Sequence, residues 1–138
     1  MAVLARAAAP EIEARLRACG ERPDYRRLRG PETGLVMVRG RMGGGGAGFN
    51  VGEMSVTRCT VRTRCGRVGH AYVAGRDERQ AELAALVDAM MQDPARQAVL
   101  REAVVEPLAT AQEARRAETA AKAAATRVEF FTMTNMRA

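Results

Sequence analysis

The sequence predicts an α+β fold: a small antiparallel β-sheet covered by an amphipathic helix, with an N-terminal helix and a C-terminal helical extension. Two runs of strand-forming residues flank a run of glycines within 32–73, and a third run follows a tight turn. Strands joined so closely pair antiparallel, because a parallel return needs a long crossover. Outside this stretch, apolar residues recur mainly at helical spacing. These observations together define the predicted fold class.

Length and composition indicate one domain, 1–138, with a modest core. It divides into an N-terminal helix and lead-in (1–30), a sheet with a glycine-rich loop (31–75), and helices with an apolar tail (76–138). Aromatic residues make up only 4% and Trp is absent, so Ala, Val, Leu and Met must supply most of the core. The apolar runs are too short to cross a bilayer, and the start lacks a secretory signal. We therefore expect a cytoplasmic protein.

The basic residues bear on the class of partner. The net charge is +6, and all but one of the 22 basic residues are arginine. They are spread along the chain between acidic residues, a pattern that favours solvated faces and protein–protein ion pairs. No basic block is present, so a nucleic-acid-binding module is the less favoured alternative.

The strands are predicted from residue type and alternation. Before them, Pro10 starts a helix that ends at Gly20, and 31–34 has the composition of a turn. Alternating apolar and polar residues predict strands at 35–41, 54–64 and 68–74. The apolar parity shifts within the second strand, which predicts a bulge near Thr57. Cys65-Gly66 has the composition of a tight turn before the third strand.

The helices follow from capping residues and apolar spacing. Asp77 is a predicted N-cap with Gln80 as its capping-box partner, and the clearest amphipathic stripe follows. Pro94, after Asp93, starts a second helix, and Pro107 predicts a kink or restart. The predicted inner face of that second helix consists of Val99, Leu100 and Val104.

The C-terminal part predicts a contact with another subunit. The segment 108–126 is rich in helix formers, but its alanine stripe buries little area. An apolar tail follows. An apolar tail after a helix with small side chains is typical of a surface that another chain covers. Folding of the tail onto its own sheet is the equal alternative. The residues predicted for the partner interface are Arg127, Phe130, Phe131 and Met133.

No catalytic or metal-binding constellation is present in the sequence. The glycine run leads into a strand and lacks a following Lys, so it is not a P-loop. Its neighbours still suit an anion, and the candidate anion or interface loop consists of Arg39, Arg41, Gly43 and Gly44. His70 lies mid-strand without a partner set, which favours a structural role. Cys19, Cys59 and Cys65 lack metal-ligand spacing, so we expect reduced thiols that act as small buried apolar groups.

Several separated motifs resemble one protein family over nearly the whole chain. They are ETGLVMVRGRMGG (32–44), TRCTVR (57–62), GHAYVAGRD (69–77), AELAALVDAMMQ (81–92) and TRVEFFTM (126–133). In this order they resemble the PhnG family, the G subunits of the bacterial carbon–phosphorus lyase system. Two departures are mild: Cys65-Gly66 stands where an Asp-Gly-like turn is usual, and the end after Met133 differs.

The resemblance implies an accessory, structural subunit of the carbon–phosphorus lyase core complex. That complex converts MgATP and an alkylphosphonate to α-D-ribose 1-methylphosphonate 5-triphosphate and adenine in phosphonate degradation. The resemblance implies H, I and J subunits as partners in a two-fold hetero-octamer, with direct contact to the I subunit. It places adenosylmethionine and an iron–sulfur cluster in the J subunit, and no cofactor or catalytic residue in this chain. The alternative is a phosphate-contacting subunit whose glycine loop, with Arg39 and Arg41, helps to form the nucleotide or phosphonate site.

Overall fold

A computed structural model describes residues 1–20, 22–42 and 45–128 of the chain. These residues form an α+β fold, as predicted. The strands are β1 (Tyr25–Gly40), β2 (Phe49–Thr63) and β3 (Val68–Ala74). The helices are α1 (Ala9–Ala18), α2 (Glu78–Met91), α3 (Pro94–Leu100) and α4 (Glu106–Ala125). A 3-10 turn (Leu4–Arg6) precedes α1, and one π-helical turn (Arg101–Val105) joins α3 to α4.

The sheet has the order β1-β2-β3, and both pairs are antiparallel. β2 is central because each of its neighbours is joined to it by a direct hairpin. The tight turn predicted at Cys65-Gly66 is confirmed. Gly66 has φ +89°, and its N–H donates to the carbonyl of Thr63 at 2.9 Å. A glycine is favoured here because side chains disfavour positive φ.

β1 is much longer than the sequence predicted. The turn predicted at 31–34 is wrong, because β1 continues through these residues. The register moves from Arg29 opposite Thr60 to Glu32 opposite Arg58, so one extra residue bulges from β1. An edge strand tolerates proline at such a bulge, since no ladder hydrogen bond is lost there. The bulge predicted near Thr57 is therefore wrong: the irregularity lies in the facing strand.

The core lies between the sheet and α2, which confirms the predicted covering helix. α2 packs on β2 and β3, and its side chains from Ala81 to Val87 are all buried. Gly69 of β3 lies under α2, and a Cβ there would overlap the carbonyl oxygen of Ala85. The small residue allows the helix backbone to approach the strand.

The predicted N-terminus of α2 is half confirmed. The Asp77 side chain accepts a hydrogen bond from the backbone N–H of Gln80 at 2.8 Å. The return bond of a capping box, from the Asp77 N–H to the Gln80 side-chain oxygen, is not formed. The Gln80 side-chain N–H donates to the carbonyl of Leu4 at 3.2 Å. Gln112 of α4 donates similarly to the carbonyl of Val3 at 2.9 Å. Two glutamines thus hold the N-terminal segment against the helices.

The helix from α3 into α4 changes form before Pro107. The N–H of Glu106 bonds to the carbonyl of Arg101, a π-type bond. The wider π turn accommodates the proline ring and the missing N–H, so the predicted irregularity is present. Leu100 and Val104 are buried as predicted, but Val99 is 54% exposed and the prediction for it is wrong. Spacing by four residues lets the π turn keep Leu100, Val104 and Leu108 on one buried face.

α4 extends away from the core. Its residues 113–125 are exposed throughout, and at a rise of 1.5 Å per residue they span about 20 Å. The prediction that this alanine-rich helix contributes little to its own core is confirmed. Within the described ranges, no helix combines the length and apolar character needed to cross a membrane.

Candidate functional site

The first two strands form a two-stranded ribbon that projects past the rest of the sheet. β3 ends at Ala74, which pairs with Val56 of β2. Beyond that point only β1 and β2 pair, in regular register from Glu32 to Val38. We call the residues 35–40 and 49–55 the ribbon. Six strand residues span about 20 Å.

The ribbon carries apolar side chains that nothing in the described chain covers. Leu35 is 63% exposed, Met37 59% and Val51 60%. The exposed large apolar side chains of the ribbon and its tip are Leu35, Met37, Val38, Met42, Phe49, Val51 and Met54. A two-stranded hairpin alone is marginally stable in water, and several exposed large apolar side chains on one projecting element usually mark an interaction site. The ribbon is therefore the candidate functional site.

Hydrogen bonds fix the ribbon where it leaves the sheet. The buried Thr57 hydroxyl donates to the carbonyl of Gly75 at 2.8 Å and lies 3.1 Å from the Thr33 hydroxyl. The N–H of Gly75 donates to the carbonyl of Ser55 at 2.8 Å. These contacts join both ribbon strands to the end of β3. The direction of the ribbon is thus set by the folded core.

A buried carboxylate joins the start of β1 to α2. Glu82, whose side chain is 6% exposed, accepts two hydrogen bonds from Arg27, at 2.8 and 3.0 Å, and one from Tyr25 at 2.8 Å. Burial raises the pKa of Glu82, but the hydrogen bonds from Arg27 and Tyr25 outweigh it and leave that pKa below its usual range. The arrangement stabilises the ionised carboxylate and positions β1.

The residues predicted for an anion or interface loop lie at the ribbon tip. Arg39 donates to the carbonyl of Gly48 at 3.2 Å, which closes the end of the hairpin. Arg41 is exposed just after β1. Gly43 and Gly44 lie outside the described residues. The structure thus brings Arg39 to the ribbon rather than to a cavity, and the anion role of the loop stays a prediction.

Of the four residues predicted for the partner interface, the structure describes one. Arg127 is exposed and follows the end of α4. Phe130, Phe131 and Met133 lie outside the described residues, so their contact stays a prediction. Val128, the last described residue, is 68% exposed.

The three cysteines are free thiols in different surroundings. Cys59 is buried, and burial raises the pKa of its thiol. The prediction of a buried thiol is wrong for Cys65, which lies exposed in the β2–β3 turn. Hydrogen bonds with Thr63 and Arg67 lower the pKa of the Cys65 thiol. Cys19 is half-buried beside the core.

The described part of the chain does not assemble a metal centre. No group of three His, Cys, Asp or Glu side chains is placed there to hold a metal ion. His70 is exposed on β3, with its Nδ1 3.2 Å from the Thr60 hydroxyl. Its backbone N–H donates to the Asp88 carboxylate at 3.0 Å, which covers part of the sheet edge. This surrounding fits the structural role expected for His70.

The apolar ribbon is the feature that sequence reasoning missed. Its residues were predicted as strands, but strand patterns do not show which face another element covers. The available signal was a length mismatch. The run predicted at 54–64 is longer than the run at Val68–Ala74 that follows it, so the second strand had to extend past the third.

The fold and the ribbon define a small α+β protein with an uncovered apolar surface, typical of proteins that act in contact with another protein. Comparison with family models matches residues 1–136 to "Phosphonate metabolism protein PhnG". The chain belongs to the PhnG family, which confirms the resemblance in the sequence. It is also similar to the Alpha-D-ribose 1-methylphosphonate 5-triphosphate synthase subunit PhnG of Rhizobium meliloti (strain 1021). That similarity is 47% identity over 133 residues, covering 96% of this chain and 85% of the relative.

Proposed function

We propose that this chain is an accessory subunit of the carbon–phosphorus lyase core complex, supporting synthesis of α-D-ribose 1-methylphosphonate 5-triphosphate in phosphonate degradation. Family membership and the name of the Rhizobium relative support this assignment. The single structural observation that carries it is the uncovered apolar ribbon. An exposed surface of this kind is stable in solution chiefly when another protein covers it.

In this proposal the ribbon docks on an apolar surface of another synthase subunit. Leu35 and Met37 pair with Ser55 and Glu53 in β2 and lie on the α2 side of the sheet, beyond the helix. A partner that covers this side would extend the core formed by α2. The partners are the H, I and J subunits, with the I subunit in direct contact. MgATP, adenosylmethionine and the iron–sulfur cluster belong to those partners, and this chain is not itself catalytic.

The test is co-purification with the other synthase subunits from the same organism. In the double variant Leu35→Thr, Met37→Thr, the β-branched replacements suit a strand and remove apolar area. At about 1 kcal/mol or more per side chain, binding should weaken by about 30-fold or more. The matched control is Val99→Thr, which changes an equally exposed apolar residue on α3. It should leave co-purification unchanged.

The result that would contradict the ribbon interface is full co-purification of the double variant at dilutions that separate weak complexes. A circular dichroism melt shows whether the variant is folded. Failure of the wild-type chain to co-purify with any of the subunits would instead contradict the assignment to the synthase.

The tail interface is tested separately by truncation after Arg127. We expect the shortened chain to fold, because the core residues in the described part of the chain all precede this point, and to bind its partner less tightly. A truncated chain that melts early and still co-purifies would mean that the tail packs on its own sheet.

The glycine-loop alternative is tested by Arg41→Ala. Loss of adenine release with intact assembly would support a phosphate contact.

A further inference from the structure

Two arginines face each other directly at the end of the sheet opposite the ribbon. Arg26 of β1 is the register partner of Arg62 of β2. Directly opposed side chains in an antiparallel pair lie on one face and close together, so like charges there are destabilising. Arg64 lies two residues beyond Arg62, and the period of a strand favours the same face for it. A counter-charge at this place would remove an unfavourable interaction.

Farther along the same strands, the chain supplies such a counter-charge itself. Glu32 pairs with Arg58 at 3.2 Å and with Arg29 at 3.5 Å. For Arg26, Arg62 and Arg64, no carboxylate lies within 4.0 Å in the part of the chain that the structure describes. The two regions therefore differ in how their arginines are neutralised.

These three arginines line an open cavity of ≈ 410 Å³. The described residues in its wall are Asp24, Tyr25, Arg26, Arg62, Thr63 and Arg64. The two hydroxyl groups in this wall already have partners. Tyr25 donates to Glu82, and Thr63 donates to the carbonyl of Arg67 at 3.2 Å. Among the described residues that line the cavity, Asp24 is the one acidic residue. Three guanidinium groups against one carboxylate give this described lining a net positive charge.

We infer that this cavity binds a phosphate-type polyanion across Arg26, Arg62 and Arg64. A guanidinium presents paired N–H donors that match two oxygens of a phosphoryl group. Several phosphoryl groups in one chain can meet several guanidinium groups, whereas a single carboxylate meets one. The anion supplies the counter-charge that the opposed arginines lack. Its link to the phosphoryl compounds of the synthase rests on the proposed function, but the anion site itself does not.

The experiment is calorimetric titration of the full chain with inorganic tripolyphosphate at low ionic strength. We expect one site per chain. Arg62→Gln should weaken binding about tenfold or more, because a charge-assisted hydrogen bond is lost. The matched control is Arg101→Gln, which removes the same charge from an exposed side chain between α3 and α4, and it should leave the affinity unchanged.

Thermal denaturation without anion gives a second readout. If the opposed arginines repel each other, Arg62→Gln should melt at the same temperature as the wild type or higher. A role in a structural ion pair would lower the melting temperature. Tripolyphosphate should then raise the melting temperature of the wild type more than that of Arg62→Gln.

Three outcomes would overturn the inference. The first is absence of a stoichiometric site. The second is equal weakening by Arg62→Gln and Arg101→Gln, which would mean that tripolyphosphate follows only the net charge of +6. The third is loss of subunit co-purification by Arg62→Gln without any change in anion affinity, which would assign the arginines to an acidic protein surface. Anion binding by a chain that fails to co-purify would contradict the proposed function alone.

Discussion

Replacing Gly69 by alanine tests the close contact between α2 and β3. A Cβ at this position would overlap the carbonyl oxygen of Ala85 and lie 2.5 Å from the backbone nitrogen of Ala89. It would also lie 2.8 Å from the Cβ of Ala89. Carbon atoms in contact prefer about 3.5–4.0 Å. The obstacle is helix backbone, so α2 has to move away from the sheet by about an ångström.

The change in the free energy of unfolding caused by Gly69→Ala follows from two opposed effects. Overpacking of a core typically costs about 1–3 kcal/mol, and the upper end applies because the whole of α2 must shift. Against this, replacing glycine within a strand gains about 0.5–1 kcal/mol of backbone entropy. We expect Gly69→Ala to lower the free energy of unfolding by about 2 kcal/mol. That is a large share of the 5–15 kcal/mol of a typical domain.

Urea denaturation followed by circular dichroism measures this change. With a slope of about 1–3 kcal/mol per molar urea, the midpoint should fall by about 1 M. The matched control is Gly34→Ala, also in a strand, where a Cβ meets nothing within 4 Å. It should be neutral or slightly stabilising. Equal midpoints for the two variants would refute the argument that α2 needs a glycine beneath it.

Three further predictions concern single side chains. The pKa of Glu82 is depressed in the fold, so its ionised form stabilises the protein above its unfolded pKa, and that stability is lost as pH falls through the folded value. Glu82→Gln should therefore lower the free energy of unfolding by about 2 kcal/mol at pH 7. Urea denaturation below about pH 4 should show a smaller loss, and a loss that does not change with pH would contradict the linkage between ionisation and stability. Cys65 should react with iodoacetamide at pH 8 before Cys59, because its thiol has the lowered pKa; peptide mass spectrometry reports the order, and equal rates would argue against it. Asp77→Ala removes the N-cap of α2 and should lower the free energy of unfolding by about 1 kcal/mol. Thermal denaturation measures this change, and an unchanged melting temperature would mean that the cap contributes nothing.

The predicted elements that were confirmed are those whose signals are local. β3 was predicted with its observed bounds, and the capping of α2 by Asp77 was read from a residue type and its spacing. A turn of positive φ at Gly66 likewise depends on residues adjacent in sequence. Such features need no information about distant parts of the chain.

The predictions that were wrong concern positions where a distant element overrides local preference. Pro31 suggested a turn, but pairing with β2 holds the chain in a bulged strand there. Val99 suggested a buried helix position, whereas its side chain is 54% exposed. Gln80 suggested a capping box, but a carbonyl of the N-terminal segment takes its side-chain hydrogen bond. For Pro31 and Gln80 the competing partner lies far away in sequence.

The sequence by itself determined the fold class, the covering helix and the family, because these rest on periodicity and on ordered motifs. Only the tertiary structure decided which apolar residues stay uncovered and which arginines meet. Leu35 and Met37 are exposed because β1 and β2 continue beyond the part of the sheet that α2 covers. Arg26 and Arg62 lie opposite each other because two register shifts, one between Arg27 and Arg29 and one between Arg29 and Glu32, set the pairing at this end of the sheet. Burial and pairing between strands depend on distances across the fold, and a linear pattern does not contain them.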